Sequence, residues 1–251
     1  WNYFLAQRGI INGHIPQKPQ KVTPKWMNKL LACANPNFNR AQTFARMLNL
    51  PREPEDIAEL AVRGDTQRID AGLTPYGPFL IMVSVGFDAE VIHDLHARRR
   101  GPIRHASYIA PIVRTVLKRK WPKITIEVDG QRVVDQRRGL AIVANFSGYA
   151  FGMDPARDAE PDDGQLDVVF LPTSSVTRTL LWAWRSRRGV AVDHPAAVVT
   201  RGARVMLSGP EKMALQLDGD AAGLQDRVDI SLRPHGYEVI VPSPSMASNT
   251  P

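Results

Sequence analysis

Val143-Ala-Asn-Phe-Ser-Gly-Tyr-Ala-Phe-Gly-Met-Asp-Pro-Ala-Arg-Asp-Ala-Glu-Pro-Asp-Asp-Gly-Gln-Leu-Asp-Val168 is the stretch on which the reading of this chain turns. An apolar run ends at Asn145, and a loop punctuated by Gly148 and Gly152 follows. Asp162-Asp163-Gly164 then turns into a second apolar run at Leu166. This layout places carboxylates and backbone carbonyls at a strand-to-strand crossing, a setting suited to a hard cation or a polar head group.

Similar strands continue on both sides. Phe79 to Val85 is a continuous apolar run, as expected for a central strand. Lys123 to Val128 alternates, and Asp129-Gly130 leads into Arg132-Val-Val134, a hairpin signal. Leu140–Phe146, Leu166–Leu171, Arg204–Leu207, Met213–Leu217, Val228–Leu232 and Glu238–Val241 read as further strands. Short strands with turns between them predict a β-rich α+β fold: an antiparallel β-sandwich or open barrel with helical insertions. One insertion spans Arg104 to Lys120, with Pro111 expected to kink it. The other is Val176 to Arg187.

Upstream, Pro16, Pro19, Pro24 and Pro36 leave room only for a short helix near Trp26 to Ala32. Asn39 to Asn49 reads as a helix stopped by Pro51, and Glu53 to Arg63 as a second, with Pro54 in its first turn and Gly64 past its end.

Composition narrows the classes. The 251 residues, 43% of them hydrophobic, suffice for a substantial core. No apolar run approaches the ~18 residues of a membrane span, and Trp1 to Gly9 shows no secretory pattern. Cys33 is the single cysteine, so an internal disulfide is excluded. The formal charge is +7, with basic clusters at Arg98–Arg100 with Arg104, at Lys118–Lys120 with Lys123, and at Arg185, Arg187 and Arg188. Trp121, Trp182 and Trp184 lie beside two of these clusters. Basic residues next to Trp suit an anionic membrane surface, while solvated helix ends are the plainer reading. Nucleic acid is disfavoured for want of a recognised reader motif.

Several ordered motifs carry a resemblance. Besides the opening stretch they are Phe44-Ala-Arg-Met-Leu-Asn-Leu-Pro51, Arg68-Ile-Asp-Ala-Gly72 with Val83-Ser-Val-Gly-Phe-Asp-Ala-Glu-Val91, and Leu217-Asp-Gly-Asp220. Together they resemble the C-terminal half of the diacylglycerol kinase / sphingosine kinase family in its bacterial lipid kinase form, over roughly positions 40 to 242. The resemblance implies three regions: 1–64 as the mostly helical edge or remnant of an N-terminal α/β nucleotide-binding domain, 65–242 as a β-sandwich lipid kinase domain, and 243–251 as a disordered tail.

The same resemblance assigns the candidate residues. Asp163, with the carbonyls of Glu160 and Gln165, is the expected Mg²⁺ site; a plain Asp-Gly turn is the alternative. Asp218-Gly219-Asp220 matches the family's Asp-Gly-Glu, which helps organise metal-bound ATP; Asp220 is one methylene shorter than the Glu it replaces, and a turn is again the alternative. Asp88 faces the substrate cleft on the family reading and caps the following helix on the local one. Arg40 is the remaining candidate for phosphate contact. His93 and His96, three apart, lack a third metal ligand, and Ser147 has no nucleophile elbow around it.

One absence matters. Phosphoryl transfer depends on positioned charge, and the family's phosphate cradle, Gly-Gly-Asp-Gly-Thr, does not occur in these residues. Asn39-Arg-Ala-Gln42 stands where the family has Gly-Thr-x-Asn. The expectation is therefore a lipid kinase-family chain, incomplete or catalytically degenerate, with a non-catalytic lipid- or membrane-binding module as the alternative. Mg²⁺ and ATP are the implied cofactors. The implied partners are a lipid substrate at a membrane surface and anionic phospholipid, with a homodimer left open. The implied location is cytoplasmic and peripheral at the membrane.

Overall fold

The computed structural model describes residues 45, 48–51, 53–98, 108–118, 121–148 and 152–243. The chain divides into two compact units, one of Trp1–Arg68 with Glu238–Pro251 and one of Ile69–Tyr237. The described elements are α1 (Pro54–Arg63), β1 (Asp65–Thr74), β2 (Gly77–Phe79), β3 (Met82–Val85), α2 (Phe87–Arg98), α3 (Ile109–Lys118), β4 (Lys123–Val128), β5 (Gln131–Ala144), β6 (Leu166–Pro172), α4 (Val176–Arg187), β7 (Val198–Gly202), β8 (Arg204–Leu217) and β9 (Asp220–Val241).

The strands run in the order β2-β1-β9-β8-β3-β5-β6-β7, and β4 pairs with both β5 and β8. That double pairing makes the sandwich. The first half of β5 pairs with β4 and its last four residues with β3. β8 does the same, with Val205–Ser208 against β4 and Leu215–Leu217 against β3. Two long strands thus run through both layers, and β3 and β4 close the circuit between them. Every recorded pairing is antiparallel. The main core cluster is apolar and includes Val83 and Val85 of β3, Ile124 and Ile126 of β4, and Leu207 and Leu215 of β8, all completely buried. Burying each such side chain stabilises the fold by ~1.5–3 kcal/mol.

The β-rich sandwich is as the residue pattern predicts, with differences in detail. Arg132–Val134 and Leu140–Phe146 belong to one strand, β5, which carries on through exposed Asp135–Arg138 with Gln136 at φ 44. Arg204–Leu207 and Met213–Leu217 are likewise one strand with a register shift between Ser208 and Met213. The polar middles of both strands lack the alternation that marks a half-buried strand, because the strands bend there from one layer to the other. β7, half-exposed, has no clear apolar pattern and was not anticipated.

Among the helices, α1 and α4 lie where the periodicity puts them. Ser175 caps α4 through its hydroxyl, which accepts from Arg178 N–H at 3.3 Å. The expected kink at Pro111 is corrected: Pro111 is the third residue of α3, in the first turn, where an N–H has no intrahelical partner to lose. The Asn39–Asn49 helix falls mostly outside the described residues, as does the tail beyond Ser243.

Val91, Ile92 and Leu95 of α2 cluster with Tyr108, just before α3, and with Ile112 of α3, and Ala221 at the start of β9 packs against this cluster. The contact sets α2 beside the β8–β9 hairpin.

Candidate functional site

Asp218 and Gly219 form the β8–β9 turn. Both have positive φ, 48 and 84, and Leu217 pairs with Asp220 across them. Two positive-φ residues between paired strands make the turn whose twist suits a hairpin, and Asp-Gly is a favoured sequence for it. The Asp218 carboxylate then reaches across to β3. Oδ2 accepts the N–H of Leu80 at 2.8 Å; Oδ1 accepts those of Ile81 and Met82, each at 2.9 Å. This explains why the apolar run Phe79–Val85 is two strands: Leu80 and Ile81 give their N–H groups to a side chain rather than to a neighbouring strand.

A buried polar line starts at the same turn. Gly219 N–H donates to Gln216 Oε1 at 2.6 Å, Gln216 Nε2 donates to Ser84 Oγ at 2.8 Å, and Ser84 Oγ donates to Asp88 Oδ2. Ser84 and Gln216 are essentially completely buried. Buried polar groups of this kind persist only when bonded to one another. Asp88 is the second residue of α2 rather than the residue before it, so the expected N-cap role is corrected: the carboxylate engages the Ser84 hydroxyl. Asp220 is exposed at the head of β9, and its Oδ1 lies 3.8 Å from His96 Nε2 on α2. His93, one turn earlier, is tied to the Leu215 carbonyl at 2.8 Å. The structure therefore brings Asp88, Asp218 and Asp220 to one end of the sandwich, around the β8–β9 turn and α2.

The other predicted set is elsewhere. Asp163 Oδ1 accepts the Gln165 N–H at 2.9 Å, and Oδ2 lies 3.8 Å from Arg201. Fully buried Asp70 holds this turn: its Oδ2 accepts Gly164 N–H at 2.8 Å, its own N–H donates to the Pro161 carbonyl at 2.6 Å, and its Oδ1 accepts His235 N–H at 2.7 Å. Arg201 answers the acidic charge, donating to Asp167 Oδ1 at 2.9 Å and to the Asp158 carbonyl at 2.5 Å. Burial pushes the Asp167 carboxyl above its ordinary value although Arg201 pulls it down, and Asp167 Oδ2 has no hydrogen-bond partner among the described residues. No cluster of three or more His, Cys, Asp or Glu suited to a metal occurs among the described residues. The donors at Glu160, Asp163 and Gln165 are hard oxygens, one carboxylate with neighbouring carbonyls. That chemistry fits a Mg²⁺ ion that keeps most of its waters. Arg40 lies outside the described residues.

Sequence reasoning missed Ser84, Gln216, Asp70 and Arg201. Gln216 had left a signal, an amide inside the apolar run Met213-Ala-Leu-Gln-Leu217. Ser84 sits likewise inside Val83-Ser-Val85. Asp70 stood only inside the motif Arg68-Ile-Asp-Ala-Gly72, and Arg201 left no signal, because their roles arise from segments distant in sequence.

The antiparallel strands and the carboxylates gathered at one hairpin define a β-sandwich domain with its candidate site at the β8–β9 turn. Comparison with known proteins makes this specific. The family described as "YegS C-terminal NAD kinase beta sandwich-like domain" matches residues 81–241, and the chain belongs to it. The diacylglycerol kinase of Bacillus subtilis (strain 168) is 24% identical over 201 residues, covering 78% of this chain and 65% of that protein. The diacylglycerol kinase of Staphylococcus carnosus (strain TM300) is 22% identical over 200 residues, covering 79% and 64%. The chain thus spans just under two thirds of the length of these relatives. Among solved structures, a candidate diacylglycerol kinase from Bacillus anthracis str. Sterne shares the fold, with a TM-score of 0.60 at 19% identity over 81% of this chain and 66% of that one. No helix among the described residues is long and apolar enough to cross a membrane.

Proposed function

We propose that this chain is the lipid-facing domain of an ATP-dependent lipid kinase that phosphorylates the hydroxyl of diacylglycerol or a related lipid. Family membership and the names of its relatives support the class. The single observation that carries the site is the buried line from Gly219 through Gln216 and Ser84 to Asp88, which starts at the turn that presents exposed Asp220.

Each group then has a task its geometry supports. The Asp218 carboxylate fixes Leu80–Met82 and so holds the turn rigid. Asp220, presented by that turn, orients the metal-bound nucleotide. Asp88, which the family resemblance sets near the lipid substrate, is locked by Ser84. Preorganisation of this sort is most of what phosphoryl transfer asks of a protein. A Mg²⁺ held by Asp163 with the Glu160 and Gln165 carbonyls would steady the acidic turn, and Mg²⁺ with ATP would supply the phosphoryl group and neutralise its charge. The Gly-Gly-Asp-Gly-Thr cradle is not in these 251 residues, so on this reading the nucleotide's phosphates are held by groups outside them, with Arg40 as an added contact.

The test is transfer of labelled phosphate from ATP to diacylglycerol in mixed micelles by the product of the complete gene. The expected result is a phosphorylated lipid, with Asp220→Ala slowing its formation by about 100-fold. Absence of any phosphorylated lipid sinks the proposal.

A further inference from the structure

Helix α4 presents an unusual outer face. A surface helix ordinarily turns charged residues to water and apolar ones inward. α4 turns out Leu180 (58% exposed), Leu181 (42%) and Trp184 (51%), which adjoin on one side at i, i+1 and i+4. It contains no Asp or Glu; its only ionisable residues are Arg178, Arg185 and Arg187, and Arg188 follows at the C-cap. The Arg188 guanidinium lies over the Trp184 ring, 4.9 Å from its centroid. Single exposed hydrophobic residues are ordinary, but a contiguous group marks an interaction surface.

The helix cannot roll to hide this face, because its other side is anchored. Trp182, buried, donates its indole N–H to the Pro172 carbonyl at 2.8 Å and packs edge-on against His194. Trp121 donates its indole N–H to Thr179 Oγ1 at 3.1 Å, and the Ser186 carbonyl accepts Asp154 N–H at 2.8 Å.

We propose that the outer face of α4 docks on an anionic lipid surface. Charge complementarity selects this occupant. The arginines match lipid phosphates, indole prefers the headgroup level, and the leucine pair can enter the acyl boundary beneath. Nucleic acid would satisfy the arginines and leave the leucines nothing to enter. The proposal does not depend on the phosphotransfer reading, since it concerns binding without nucleotide.

The test is co-sedimentation of the full chain with vesicles of phosphatidylcholine alone or with phosphatidylglycerol, at low and high salt and without ATP. Binding to the anionic vesicles is expected, weakened by salt. The double variant Leu181→Ala/Trp184→Ala should weaken it by about ten-fold or more, and Arg188→Ala by about five-fold. Unchanged thermal unfolding of these variants would confirm intact folding, as expected at exposed positions. Equal binding to both vesicle types, no binding at all, or binding indifferent to all three substitutions would each overturn the proposal. So would a partner protein or nucleic acid whose binding alone is lost in the variants.

Discussion

Two Asp-Gly hairpins in this protein are locally the same and structurally different. Asp129-Gly130 joins β4 to β5, and Asp218-Gly219 joins β8 to β9. Each pair adopts φ 48 and 84. Each carboxylate crosses to another strand and accepts backbone N–H groups. Asp129 takes those of Ala203 and Arg204, at 3.3 and 2.9 Å, at an exposed strand end. Asp218 takes three from Leu80–Met82 in a half-buried setting, and its turn opens the polar line to Asp88. Turn chemistry is thus a general device of the fold, and surroundings decide which copy joins a buried polar network.

The largest expected contrast follows from the number and burial of the donors. Asp218→Ala should destabilise the protein by about 3 kcal/mol, because it strands three amides, and Asp129→Ala by about 1 kcal/mol, because water can replace it. Urea unfolding of both variants measures the difference, and equal losses would break the comparison.

Next comes function. Asp220 and Gln131 occupy the same place after their turns. Asp220→Ala should cost about 100-fold in lipid phosphorylation, and Gln131→Ala should leave the rate unchanged, with both variants unfolding like the parent within about 0.5 kcal/mol. Parallel rate and unfolding measurements decide it.

A smaller effect checks the shared part. A Cβ added at Gly130 or Gly219 meets nothing within 4 Å, so Gly130→Ala and Gly219→Ala should each cost about 1 kcal/mol through positive φ alone. Thermal unfolding should find them alike; a clear difference would mean that the turns are not equivalent even locally.

The smallest effect sharpens the contrast between amide donors and a guanidinium. Asp167 relies on Arg201, and burial holds its carboxyl above the ordinary value. The folded state therefore binds a proton more readily than the unfolded chain at this site. Stability from it grows as pH falls through the raised value and is fully present below the unfolded value near ~4. Relative to Asp167→Asn, the parent should gain stability from neutral to mildly acid pH. Unfolding midpoints across that range test the sign.

Much of the fold was legible. The Lys123–Val128 alternation with Asp129-Gly130 marked a hairpin, and the Trp-bearing helix fell at Val176–Arg187, because period and turn chemistry are local properties. The candidate site was legible in part. Asp88, Asp218 and Asp220 stood out through motifs, and the structure gathers them. Ser84 and Gln216, which link the turn to Asp88, showed only as isolated polar residues in apolar runs, a signal without a partner until the strands pair.

By itself, then, the sequence determined the strand-rich class, the positions of both Asp-Gly turns and the membership of the candidate carboxylates. Tertiary structure alone decided that β5 and β8 run through both layers, that Asp218 breaks the Phe79–Val85 run in two, and that Arg201 rather than a second acid faces Asp163. The reason is the range of the forces. Backbone dihedrals and side-chain alternation are set within a few residues, whereas a carboxylate's partner is whichever buried donor the packed strands bring to it.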